Sequence, residues 1–121
     1  MLINLSNHPS SKWSEEQTQM ANESYGEIVD FPFPNVDPTG DETYIERLAD
    51  ECVAEIRSLS NQTENVTVHL MGEMTLSFAI LKKISNLGIE CVASTTERIV
   101  NEYEGGKKEV LFKFVRFRKY I

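Results

Sequence analysis

The stretch VTVHLMGEMTLSFAILKKISNLGIECVA, Val66 to Ala93, decides the fold. Val66–Met71 is a mostly apolar run of strand length. From about Glu73 to Leu87 the pattern becomes a helix that is apolar over much of its surface. Gly88 follows, suited to the left-handed conformation that ends helices. Ile89–Ala93 again has strand length. Strand, helix and strand joined by short connections predict a right-handed crossover between two parallel strands.

Toward the N-terminus the same alternation repeats. A polar turn, Ser60–Asn65, leads back to a helix with Tyr44/Ile45, Leu48, Cys52, Ile56 and Leu59 on one side. Glu46, Arg47, Asp50, Glu51 and Arg57 fall on its outer faces, and Asp41 is placed to cap it. The stiff loop FPFPNVDPTGDE precedes that cap. Before it lies a strand, Glu27–Phe31, closed by Pro32 and Pro34, which cannot donate to a ladder. A weaker helix starts at Ser14, where the Ser-x-x-Gln spacing to Gln17 forms a capping box. Leu2–Leu5 is the first strand.

Toward the C-terminus the pattern changes. Glu97–Tyr103 and Glu109–Tyr120 read as extended segments joined by EGGKK, a hairpin signal. The order is therefore βαβαβαβ followed by a hairpin. It predicts one α/β domain over residues 1–121, Rossmann-like and three-layered, with a mainly parallel sheet and a C-terminal antiparallel β-hairpin.

Composition limits the function. The 121 residues carry a net charge of -7. Residues 1–64 hold 13 Asp and Glu against 3 Lys and Arg, whereas residues 65–121 hold 6 against 9. This asymmetry disfavours a nonspecific nucleic-acid coat but leaves room for a small anionic ligand. No apolar run approaches the roughly 20 residues of a membrane span, and no secretory signal is evident. Cys52 and Cys91 form no CxxC pair, so free thiols and a cytoplasmic location are expected.

Ligands of an open parallel sheet bind beyond the carboxyl ends of its strands. Three segments are expected there: SNHPSSKW, MGEMT and STTER. None is a glycine-rich dinucleotide fingerprint or a P-loop. Their hydroxyls, amide, imidazole, lysine and arginine suit phosphodiester and ribose groups. His8 is the sharpest candidate, because an unperturbed imidazole titrates at about pH 6.5. Ser94, Thr95 and Thr96 would let a bulky ligand approach the backbone, and Arg98 could grip a phosphate in two places. Glu73 could simply favour the start of its helix. His69, inside a buried strand, is expected to be a hydrogen-bonded core residue.

In FKFVRFRKY, strict alternation puts Phe112, Phe114, Arg116, Arg118 and Tyr120 on one face. Lys113, Val115, Phe117 and Lys119 fall on the other. Neither face is cleanly apolar, so this strand is expected either to pack simply as part of the sheet or to leave the core in part to meet a second subunit or an anion. Two separated histidines and no clustered carboxylates offer no metal site, and no cofactor is expected.

INLSNHPSSKWSEEQ, CVASTTERIV and FKFVRFRKY together resemble segments of the small stand-alone CRISPR-associated ring nucleases of the CARF-like superfamily. The likeness covers both ends and the strand order and is weak through residues 30–65. Where the family pattern reads Ser-His-Pro, Asn7 stands between Ser6 and His8. The resemblance implies a homodimer that cuts cyclic oligoadenylate, such as cyclic tetra-adenylate, and switches off type III CRISPR signalling. It implies in-line attack by a ribose 2′-hydroxyl without a metal. His8, Ser11 and Lys12 would then be catalytic. Ser6, Asn7, Ser10, Gly72, Glu73, Ser94, Thr95, Thr96, Arg98 and Arg116 would bind the ring, with Ser10, Ser11 and Lys12 contacting phosphate through N–H groups at a helix start. The competing expectations are a noncatalytic sensor or sponge of the same ligand, or a protein-interaction module.

Overall fold

A computed structural model describes residues 1–61, 63 and 65–121; positions 62 and 64 of the expected polar turn lie outside them. Five strands form one sheet: β1 (Leu2–Ser6), β2 (Ile28–Pro32), β3 (Thr67–Met71), β4 (Glu90–Glu102) and β5 (Lys108–Lys119). Their order is β2-β1-β3-β4-β5. The first four strands are parallel and β5 runs antiparallel to β4. Helices α1 (Glu15–Tyr25), α2 (Glu42–Ser60) and α3 (Met74–Asn86) connect the parallel strands. The protein is thus an α/β domain with a mostly parallel sheet and a C-terminal antiparallel pair.

Local chemistry sets the boundaries. Ser14 caps α1 by accepting from the Gln17 N–H at 3.2 Å, and Asp41 caps α2 through the Tyr44 N–H at 3.0 Å. Gly105 and Gly106 both take positive φ in the hairpin turn, which a pair of non-glycine residues would resist. Pro32 is tolerated because β2 is an edge strand.

Alternation along the strands divides the core in two. Ile3, Leu5, Val68, Leu70 and Cys91 face α2 and α3, where they meet Ala49, Cys52, Ile56, Leu76, Ile80 and Ile84. Leu2 and Val92 face the other way, toward Ala21 of α1 and toward Phe114 and Phe117 of β5. Lys83 ties α3 to Glu46 and Asp50 of α2 at 2.7 and 2.9 Å.

Two expectations are corrected. The fourth strand does not stop at Ala93; it continues without a break to Glu102, so STTER is strand rather than loop. The reason is β5, which pairs with β4 along its whole length and supplies the hydrogen bonds that a loop would lack. Strict alternation in β5 also fails. Thr95 pairs with Arg116 but Thr96 pairs with Phe114, leaving Val115 as the extra residue of a bulge. The bulge turns Phe114 and Phe117 to the same side, where both are buried with ring centroids 5.0 Å apart.

Candidate functional site

A polar residue sits in the middle of three consecutive strands. Asp30 of β2, Asn4 of β1 and His69 of β3 stand in register, on the face toward α1. Asn4 and His69 are only 2% and 1% exposed, so their polar atoms need partners. They find them in each other. Asn4 Nδ2 donates to Asp30 Oδ1 at 2.8 Å, and Asn4 Oδ1 lies 2.8 Å from His69 Nδ1. His69 Nε2 lies 3.1 Å from Ser94 Oγ on β4. One hydrogen-bonded row thus crosses four strands.

The opening loop folds over this row. The His8 carbonyl accepts from Asn4 Nδ2 at 2.8 Å and from Trp13 Nε1 at 3.1 Å. Ser6 Oγ donates to Asn4 Oδ1 and accepts from the His8 N–H. The Trp13 ring meets His69 edge-on with centroids 5.3 Å apart, and Phe117 meets His69 similarly at 5.5 Å. SNHPSSKW is therefore a cover fastened to the sheet by polar residues beneath it.

Burial pushes the His69 imidazole down to about 4, and the His8 charge adds to that effect. His69 is neutral at physiological pH. His8 stands within electrostatic reach of His69, although its own side chain is exposed. Hydrogen bonds from Ser10 and Asn4 outweigh desolvation and hold the Asp30 carboxyl below its ordinary range. Burial raises both thiols, Cys52 to about 11 and Cys91 to about 12, so neither is a thiolate at neutral pH.

The sequence candidates divide into three groups. Ser6 and Ser94 join the polar row, Ser6 through Asn4 and Ser94 through His69. Asn7, His8, Ser11 and Lys12 have exposed side chains on or beside the cover, with Ser11 and Lys12 in the single 3-10 turn Ser10–Lys12. The other candidates have structural partners or lie farther along β4. Ser10 gives its N–H and its Oγ to Asp30 at 3.0 and 2.7 Å, so a carboxylate occupies the donors expected to meet phosphate. Glu73 caps α3, accepting from the Thr75 and Leu76 N–H groups. Thr95 Oγ1 donates to the Arg116 carbonyl, and Arg116 Nε donates to the Phe117 carbonyl. Thr96 and Arg98 are exposed past the bulge, opposite Phe114 and Phe112.

A cavity of about 200 Å³ opens at the carboxyl ends of β1 and β2, lined by Asn4, Ser6, Asn7, Pro9, Asp30, Pro32 and Phe33. Gly72 makes room for its aromatic wall: a Cβ there would stand 2.5 Å from the Phe33 ring. Grooves of about 460 and 500 Å³ run along α2 and α1 but contain no lysine, arginine or histidine. Among the described residues no three His, Cys, Asp or Glu side chains gather where they could hold a metal. Among the described residues no helix is long and apolar enough to cross a membrane.

Sequence reasoning missed Asn4, Asp30 and Trp13 as parts of this site. The available signal was one polar residue at the centre of each of LINLS, IVDFP and TVHLM.

The family described as the Uncharacterized protein MJ1673 family matches over residues 1–118, and the chain belongs to it. No curated protein and no solved structure matches.

Proposed function

We propose that this member of the MJ1673 family is a metal-independent ring nuclease that cleaves cyclic oligoadenylate, with cyclic tetra-adenylate as the first substrate to test. One observation carries the reading: His69 links two of the three segments whose resemblance suggested it. It bonds Asn4 beneath SNHPSSKW on one side and Ser94 of STTER on the other.

The chemistry needs geometry more than it needs a cofactor. The ribose 2′-oxygen bonds to the neighbouring phosphorus and loses its proton. The 5′-oxygen leaves and gains one, which gives a 2′,3′-cyclic phosphate and a 5′-hydroxyl. Alignment for in-line attack contributes several kcal/mol. His8, exposed at the sheet edge, assists proton transfer, while Lys12 and Ser11 stabilise charge on the phosphate. Asn7 suits adenine, because a carboxamide can pair with N6 and N7 of that base; it lines the cavity beside Phe33.

A two-fold dimer would supply these groups twice to a symmetric ring. Its contact surface in this proposal is the distal β4–β5 ribbon. Val100, Val110, Leu111 and Phe112 are exposed there, Phe112 at 67%.

The test is incubation with synthetic cyclic tetra-adenylate, with and without EDTA, followed by separation of products. EDTA-resistant conversion to linear adenylates ending in a 2′,3′-cyclic phosphate is expected. Tight binding without conversion would replace the nuclease with a sensor. Absence of binding to rings of three, four or six adenylates would sink both readings.

A further inference from the structure

The polar row has a direction, and that direction reaches Ser94. Asn4 Nδ2 faces two acceptors, Asp30 Oδ1 and the His8 carbonyl, each at 2.8 Å. Turning the carboxamide over would set oxygen against oxygen at both contacts. Asn4 Oδ1 must therefore point at His69, and at 2.8 Å it requires a proton on Nδ1. A neutral imidazole has only one ring N–H, so Nε2 carries a lone pair. Across 3.1 Å that lone pair accepts a hydrogen bond from the Ser94 hydroxyl. The other neighbour of Ser94 Oγ, Met71 Sδ at 3.0 Å, is the weaker acceptor of the two.

We infer that Asp30, Asn4 and His69 are positioning residues that fix Ser94 as a hydrogen-bond acceptor toward the ligand, so that this hydroxyl selects a ribose 2′-hydroxyl donor. The ligand identity rests on the ring-nuclease reading; the polarity of Ser94 does not. With its proton held by His69, Ser94 Oγ offers lone pairs only. A phosphate oxygen, itself an acceptor, is repelled there, whereas a 2′-hydroxyl can donate. The place is suited to contact: the β3–β4 ladder ends at the His69–Val92 pair, and Ser94, two residues farther on, is half-buried. The low affinity of His69 for a proton keeps this arrangement across the neutral range.

Two measurements test the inference. Nitrogen-15 NMR of the histidine rings in the unmodified protein reads the tautomer directly. His69 is expected with Nδ1 protonated and Nε2 bare; the opposite tautomer, or a mixture, overturns the proposal. Stopped-flow binding then compares cyclic tetra-adenylate with its all-2′-fluoro analogue, which cannot donate, before turnover. A preference of about tenfold for the hydroxyl ring is expected. Ser94→Ala should abolish that preference, and His69→Phe should reduce it with the fold checked by circular dichroism. Equal binding of the two rings by the unmodified protein, or an undiminished preference in Ser94→Ala, overturns it. If neither ring binds but the tautomer is as expected, the ring-nuclease reading falls and the polarity of Ser94 stands.

Discussion

The carboxamide oxygen of Asn4 lies 2.8 Å from Nδ1 of His69, across two adjacent parallel strands in register. Burial, with the His8 charge adding to it, pushes the proton affinity of that ring down to a pKa of about 4 against an ordinary 6.5. The unfolded chain therefore binds more protons than the folded one between these values. Stability rises with pH through that window and is lost as pH falls through it. Thermal melting should show little change due to His69 above pH 6.5, then a loss of about 3 kcal/mol from this residue by pH 4. In His69→Gln the slope between pH 6.5 and 4 should flatten, even though the variant is less stable at pH 7.

Gly72 and Phe33 are a second coupled pair. A methyl group at position 72 would meet the Phe33 ring at 2.5 Å, and Phe33 also packs against the main core. Gly72→Ala should destabilise the protein by about 1–3 kcal/mol, as overpacking usually does. The double variant with Phe33→Leu should recover part of that loss. Urea midpoints of the three variants form the cycle that checks it.

Glu73 gives a clean discrimination between two roles. Its carboxylate accepts from the Thr75 and Leu76 N–H groups and from the Thr75 hydroxyl. Glu73→Ala should lower stability by about 1 kcal/mol through loss of the cap. Affinity for cyclic tetra-adenylate should stay within about twofold of the unmodified protein, less than the loss of one hydrogen bond. A larger fall in affinity, with stability unchanged, would make Glu73 a ligand contact instead.

The ribbon prediction concerns assembly. Phe112 is largely exposed and belongs to neither buried cluster, so folding does not depend on it. Phe112→Ser should leave the melting temperature of a dilute sample nearly unchanged. If the ribbon pairs two copies, light scattering should show a dimer whose dissociation constant rises by about tenfold or more in the variant. An unmodified protein that stays monomeric at high concentration would remove the ribbon from that role.

The fold was legible where one element carries its own signal. Ser14 and Asp41 cap their helices as their spacing indicated, and the paired glycines of EGGKK form the hairpin turn. His69 was legible as a bonded core residue. What failed needed a partner strand. The bulge at Val115 exists only relative to β4, and β4 continues past Ala93 only because β5 accompanies it. The polar row was hidden for the same reason. Asp30, Asn4 and His69 are far apart in sequence and become neighbours only through the order β2-β1-β3. SNHPSSKW could be read as chemically rich, but its attachment to Asp30 could not.

Trp13 gives the molecule an optical reporter of its own. It is the only tryptophan in the chain, and its indole donates to the His8 carbonyl while its ring rests on the edge of His69. Indole emission responds to nearby hydrogen bonds and to imidazole charge. All the tryptophan light from the protein thus originates at the cover over the polar row. A change in that cover, whether from a bound ligand or from protonation of His69, can be followed by fluorescence without attaching a label.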